Sequence, residues 1–521
     1  MRKRLLRGLV ASAIALSLAV GAIGCGRDAT PNTATDIEIA YWKSGMGDQF
    51  LKDIIAGFET KNPEYKVHLK STEILSEVNQ TLLLGEADDT VDMYFSYFED
   101  AQEYKGSFES LDDVLDRTPA GESKKIREKF NPQILEQLKT AEGTHDTLIY
   151  GGGLVSIAYN MDMLEGYELP KTSFELEMLV SELTGEDIVP FVHFAPEGYY
   201  GYLEPLWQAQ YDGLDYYYNT FLACKDPATK VAPHKSVLLK KDGRWQALDA
   251  MGKIFTPDTV LNNSNTMQHT QAQTKFLAGE AAMMVNGTWM QNEMKKGGTT
   301  SNNIGVMKIP VLSSIIEKCD TVKSDSVLSD VIGEIDEITA GKKQVALTGD
   351  DANMITVAGH SISEKDYKKL YEARNLTYTN YRDNAIMIPE YSNAKEGAKL
   401  FLEYFFSDEG LDLYYAATHV AFPVEYSDGK DPDMTGWTDF EKENYSLLAN
   451  AIPVTSLLET RHDIFKIAGA SAYGGVKIIG QLTGKGTGRK SAAEIWNQVE
   501  KAINDNYAGW LTDIGLSEWG Y

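Results

Sequence analysis

Cysteine is scarce: 521 residues hold 3. Cys224 and Cys319 follow no metal-binding spacing and form no disulfide framework, so two free thiols are expected. Basic residues are outnumbered, 49 Lys and Arg against 76 Asp and Glu, for a net charge of −27. That balance argues against nucleic acid and anionic lipid as main partners, since both are held by clustered positive charge. Uncharged ligands fit most simply. Histidine is also sparse, at 8 residues, with no HExxH zinc motif, and no GxSxG nucleophile elbow occurs. The run Leu482 to Ser491 is rich in glycine, but Arg489 stands where a P-loop needs glycine, so it reads as a connection ending in a helix cap at Ser491. Asp428, Asp431 and Asp433 lack the ligand order of an EF-hand and read as a solvated loop. No cofactor and no metal is expected.

Long apolar runs are missing too, except at the start. Arg2, Lys3, Arg4 and Arg7 precede an uncharged stretch from Gly8 to Ile23, too short for a permanent span of ~20 residues. The order of basic, apolar and small residues is that of a secretory signal over 1–24. Ala22-Ile23-Gly24-Cys25 resembles the bacterial lipobox, with Ala22 in place of the usual Leu. The resemblance implies a lipidated Cys25 as mature N-terminus and an anchor on the outer face of the cell membrane. Residues 25–35 carry no large apolar side chain and read as a flexible tether.

The remaining length exceeds a single core of ~250 to 300 residues, so two lobes are expected. Ile37 and Ile39 alternate with polar neighbours as a strand ending at Tyr41 and Trp42. A helix follows, with Asp48 as N-cap, Phe50, Leu51, Ile54, Ile55 and Phe58 on one face, and Asn62-Pro63 as its end. A second strand begins at Lys66. Strand, helix, strand is a βαβ unit of an α/β fold, whose ligands bind beyond the carboxyl ends of the strands. Trp42, Lys43, Ser44 and Gly45 fall there, and so do Tyr97, Glu99 and Asp100, after an alternating run at Val91, Met93 and Phe95. Gly151, Gly152 and Gly153 read as a crossing between lobes. Further helices are expected at Glu364 to Ala373, Asn393 to Phe406 and Ser491 to Tyr507, the last with Ser491 and Glu494 as a capping box. Residues 315–388 are charge-rich, poorly patterned and insertion-like.

A sugar presents apolar ring faces and rings of hydroxyls, so its site needs aromatics and carboxylates converging in one cleft. Tyr199, Tyr200, Tyr202, Trp207 and Glu204 lie in the densest aromatic stretch, Phe191 to Tyr218. The segment Phe276 to Trp289 adds Ala281 to Val285 as a buried strand, Asn286-Gly287 as its turn and Trp289 just beyond, either lining a cleft or packed in a core. Asn286-Gly287-Thr288 also fits a glycosylation acceptor. Glu99, Asp100, Glu204 and Asp212 keep open a glycoside hydrolase, which needs two carboxylates at a set distance.

These stretches together resemble the extracellular solute-binding proteins of carbohydrate ABC transporters, the family of maltose-binding protein. The resemblance runs through Ile39 to Trp42, Asn62 to Val67, Val91 to Tyr94, Ile157 to Asp162, Phe276 to Trp289, Ile304 to Val306 with Ile309-Pro310, Ala394 to Gly410 and Phe422-Pro423. It implies a two-lobed periplasmic-binding-protein-like fold with a hinge and an interlobe ligand cleft. Lobe one would be 36–148 plus 354–424, and lobe two 149–312 plus 425–521. It further implies a non-enzymatic monomer that captures a mono- or oligosaccharide and passes it to ABC permease subunits, with Trp289 as the stacking aromatic and Tyr473 as a looser match. A non-sugar ligand and a surface hydrolase are the alternatives.

Overall fold

The computed structural model describes residues 35–43, 45–85, 89–97, 108–140, 142–151, 153–195, 198–290, 293, 303–379, 384–455 and 476–516. The signal, Cys25 and the tether up to residue 34 lie outside them, as do Ser44, Glu99, Asp100, Gly152 and Tyr473. Among the described residues the strands are β1 (Asp36–Trp42), β2 (Lys66–Thr72), β3 (Met93–Ser96), β4 (Leu148–Ile149), β5 (Val155–Asn160), β6 (Met283–Gly287), β7 (Ile304–Met307), β8 (Met354–Val357), β9 (His360–Ser363), β10 (Leu376–Tyr378), β11 (Ala385–Met387) and β12 (Ile452–Val454).

The first sheet has the order β2-β1-β3-β11-β4, with β1 parallel to β2 and β3 and with β11 antiparallel to β3 and β4. The helix Gln49–Lys61 joins β1 to β2 as the expected βαβ unit. It buries Phe50, Leu51, Ile54 and Phe58, a one-sided apolar face, and stops before Pro63, which disfavours helical geometry in the residue ahead of it. Asp48 holds the N-cap position but its side chain does not cap. It is drawn instead to Lys43 at 3.2 Å, Lys52 at 2.8 Å and the Ser71 hydroxyl at 2.9 Å. Burial opposes its ionisation, yet hydrogen bonds from Lys52, Ser71 and Lys43 hold its carboxyl down at about 2. The first loop is thereby tied to the end of β2. All four residues of β3 are buried, Met93 and Phe95 in one apolar cluster and Tyr94 in another, so the strand is covered on both faces and does not alternate between core and solvent.

The second sheet, β6-β5-β7, is antiparallel. Its core takes in the helices Ser173–Gly185, Leu203–Asp212, Asp242–Ile254 and Ala492–Asp513. The last carries the expected capping box, Ser491 N donating to Glu494 Oε2 at 2.8 Å and Glu494 N to Ser491 Oγ at 3.3 Å. Two cores on two sheets, with helices packed on each, form a two-lobed α/β protein of the periplasmic-binding-protein kind. Cys224 and Cys319 are free thiols, each buried and pushed up to about 12 by that burial.

The interval after Leu312 builds a third, smaller core. Val311, Ile315, Val322, Leu328, Ile332, Ile335, Ile362, Tyr367 and Leu370 cluster beneath the helices Asp325–Thr339 and Glu364–Asn375 and the hairpin β8-β9. Met354 therefore belongs to this hairpin. The chain rejoins the first sheet only at Ala385, after β10 has paired with β12 beside the second core. Tyr426 and Trp437 also pack on the first core.

The crossings lie side by side. Leu154 bridges Thr379, and Thr379 N donates to Val454 O at 2.9 Å. Gln137, beside the first core, donates to Pro453 O at 2.9 Å and Tyr218 Oη at 3.1 Å across the junction.

Candidate functional site

Where the crossing from β4 to β5 meets the carboxyl end of β1, a pocket of about 650 Å³, part of it open to solvent, is lined by Trp42, Gly45, Met46, Gly153, Tyr199, Thr288, Trp289, Glu293, Asn384 and Val420. Trp42, Gly45 and Met46 come from the first-sheet side, and Tyr199, Trp289 and Glu293 from the second. The two sides touch: a Cβ built on Gly45 would stand 3.4 Å from Glu293 Cγ and 3.5 Å from Trp289 Cβ, ordinary van der Waals distance.

Trp289 owes its position to two glycines. A Cβ on Gly287 would come within 2.2 Å of the indole, and one on Gly153 within 2.8 Å, so neither position accepts a side chain with the ring in place. Asn286 and Gly287 are the last residues of β6, paired with Ser156 and Val155, and the turn begins at Thr288. The expected Asn286-Gly287 turn is corrected by two positions, because the pairing with β5 continues through both residues. Asn286 is 1% exposed, so the folded protein offers it to no glycan. Thr288 N donates to Leu154 O at 3.1 Å, pinning the turn to the crossing.

The 3₁₀ segment Gly198–Tyr202 sorts its tyrosines by direction. Tyr199 meets Trp289 edge to face at 5.0 Å and lines the pocket. Tyr202 is stacked between Tyr199 at 5.9 Å and Tyr378 at 4.4 Å, which supports the wall from behind. Tyr200 points the other way. It is wholly buried, its hydroxyl donating to Val192 O at 2.8 Å and accepting from Val285 N at 3.3 Å, and burial pushes its phenol far above the ordinary value. Glu204 is also buried, in the helix Leu203–Asp212, and does not line the pocket. Tyr200 and Glu204 are thus core residues, turned inward by a helical repeat that the aromatic density of the stretch obscures.

On the first-lobe side, Trp42 packs beside Tyr97, ring centres 6.4 Å apart. Tyr97 and Lys43 stand off the pocket, Lys43 being engaged by Asp48. Met46, Thr288, Glu293, Asn384 and Val420 escaped the sequence reading. Only Glu293 carried a signal: it follows Trp289 by four residues, one helical turn. Its Oε2 accepts from Gln273 Nε2 at 2.5 Å and lies 3.5 Å from His269 Nε2, which is 3.4 Å from Tyr199 Oη. Among the described residues no group of three His, Cys, Asp or Glu side chains is placed to hold a metal ion.

A pocket walled by aromatics and a few polar groups, set between two lobes joined by adjacent crossings, defines a receptor for a small solute. The chain belongs to the bacterial extracellular solute-binding proteins, whose family model matches residues 53–442. Among solved structures it is similar to RafE of Streptococcus pneumoniae, at 18% identity and a TM-score of 0.56 over 91% of this chain and 99% of that one. It is similar also to the solute receptor AcbH, at 13% identity and 0.60 over 91% and 98%, and to the maltose-maltodextrin binding protein of Alicyclobacillus acidocaldarius, at 13% and 0.51 over 89% and 100%. No match was found among curated proteins.

Proposed function

We propose that this protein is a lipid-anchored receptor on the outer face of a bacterial membrane that captures a mono- or oligosaccharide between its lobes and delivers it to the permease of an ABC importer. The observation that carries the reading is the convergence of Trp42 from one side with Trp289 and Tyr199 from the other on a single pocket. Indole faces suit the apolar faces of sugar rings, and Glu293, Asn384 and Thr288 suit their hydroxyls. Contacts to both lobes exist together only when the lobes are closed, so a ligand that bridges them shifts the population toward closure. Similar structures were solved as RafE with raffinose, as AcbH, described as preferring galactopyranose, and as a receptor with acarbose, which supports a carbohydrate.

The reading is non-catalytic. One carboxylate, Glu293, lines the described pocket, whereas most glycosidases flank the bond with two. Asp212, raised to about 6 by burial and by the charge of Asp242, has the pKa of a general acid but does not line this pocket. Titration calorimetry with a panel of neutral mono- and oligosaccharides, followed by chromatography of the mixtures, tests the reading. Saturable heat with the sugar recovered intact is expected; shorter products would make the protein an enzyme, and no heat with any sugar would end the carbohydrate reading.

A further inference from the structure

The joint between the second sheet and the inserted helices gathers two cations around one carboxylate. Lys308 follows β7, Asp336 stands on the helix Asp325–Thr339, and Arg374 and Asn375 close the helix Glu364–Asn375. Arg374 grips Asp336 side-on, Nε donating to Oδ1 at 2.9 Å and Nη2 to Oδ2 at 2.7 Å. Lys308 Nζ donates to the same Oδ1 at 3.4 Å and to Asn375 Oδ1 at 3.1 Å. The Asn375 amide is held the other way round by its nitrogen, which donates to Tyr371 O at 2.9 Å, so its oxygen is left for the lysine. Among the described residues neither cation has a second carboxylate partner. One positive charge is therefore in surplus. Arg374 is 8% exposed, and its Nη1, the nitrogen turned from Asp336, is buried with no partner among the described residues. Thr339 Oγ1, three residues beyond Asp336 on the same face of its helix, is buried and unpartnered too. Burial first, and then the charge of Arg374, lower the pKa of Lys308 against the pull of Asp336.

We infer that this joint binds one small monovalent anion of the halide class, held by Arg374 Nη1 and drawn by the surplus charge that Lys308 adds. A buried cation without a counter-charge is costly, and a guanidinium nitrogen with a free N–H makes strong, charge-assisted bonds to an anion. One surplus positive charge matches one negative charge. A sulfate or phosphate dianion would reverse the imbalance and lose more hydration on entry. Asp336, 32% exposed, marks the side by which solvent and an ion reach the cluster. Once bound, the anion fastens the insertion to the second sheet. The saccharide pocket is a separate place, since none of these residues lines it.

Urea unfolding of the whole protein, at equal ionic strength in sodium chloride and in sodium gluconate, tests the site. Gluconate is too large to enter, and urea brings no halide of its own. The unfolding equilibrium constant is expected to be about tenfold smaller in about 0.2 M chloride, as for a Kd of about 20 mM and binding to the folded state alone. Lys308→Met leaves Arg374 and Asp336 balanced, so it should be at least as stable as the unaltered protein in gluconate and respond to chloride by less than about twofold. Crystals grown in gluconate and soaked in sodium bromide should show an anomalous peak beside Arg374 Nη1, a measurement that needs no variant to fold. Bromide bound only elsewhere overturns the inference. So does an unaltered protein indifferent to chloride, the result for a Lys308 that has given up its proton. A Lys308→Met protein weakened equally in both salts overturns it as well, by making the lysine a packing residue.

Discussion

Trp207 and Trp289 lie in two aromatic regions of the same lobe and meet opposite fates. Trp207 sits in a helix whose every inward turn meets another large side chain; it is wholly buried, with Nε1 donating to Pro310 O at 2.9 Å. Trp289 follows a strand end where the neighbours beneath the ring are Gly153 and Gly287, and it keeps an edge on the pocket. What lies under a ring decides whether it becomes core or contact. An aromatic over bulky side chains is enclosed by them, whereas one laid on bare backbone can be fixed in place while remaining open to a ligand.

That contrast breaks most visibly at Trp207. Trp207→Ala should cost about 3 to 5 kcal/mol of stability, the loss expected for a fully buried indole, and should leave the affinity of the folded fraction unchanged. Denaturant unfolding and calorimetry on the same sample measure the two quantities. A smaller effect belongs to Asp212, at the end of the same helix. Its carboxyl, raised to about 6 first by burial and then by Asp242, favours the folded state when protonated. That contribution is fully present below the unfolded value of 3.8 and is lost as the pH rises through about 6. Asp212→Asn, neutral and able to go on accepting from Gly243 N, should therefore stabilise by about 1 kcal/mol at pH 7 and by almost nothing at pH 4. An equal melting shift at both pH values would contradict that origin.

Much of the first lobe was legible because its signals are local. The period of Phe50, Leu51, Ile54 and Phe58, the stop at Pro63 and the alternation from Ile37 give a βαβ unit without reference to the rest of the chain. Residues 315–388 were less readable: the core they build draws on Val311 and Ile315 at one end and Tyr367 and Leu370 at the other, and the hairpin between them shows little alternation. In the site, Trp42, Gly45, Tyr199 and Trp289 could be anticipated from their places at element ends. Tyr200 and Glu204 could not be told from Tyr199, because adjacent residues on one turn point to different sides. Asn384 and Val420 reach the pocket only through the return of the chain to the first lobe, a long-range event that no window of sequence contains.

The smallest effect on stability and the most direct test fall on Trp289. Trp289→Ala removes a ring that packs on glycines and faces the pocket. Its unfolding free energy should change by less than about 1 kcal/mol, while calorimetric affinity for the tightest-binding saccharide should fall by about 2 kcal/mol, roughly 30-fold, as for a central aromatic anchor. An unchanged affinity, or a loss of stability as large as that of Trp207→Ala, would place Trp289 in the core and contradict the account.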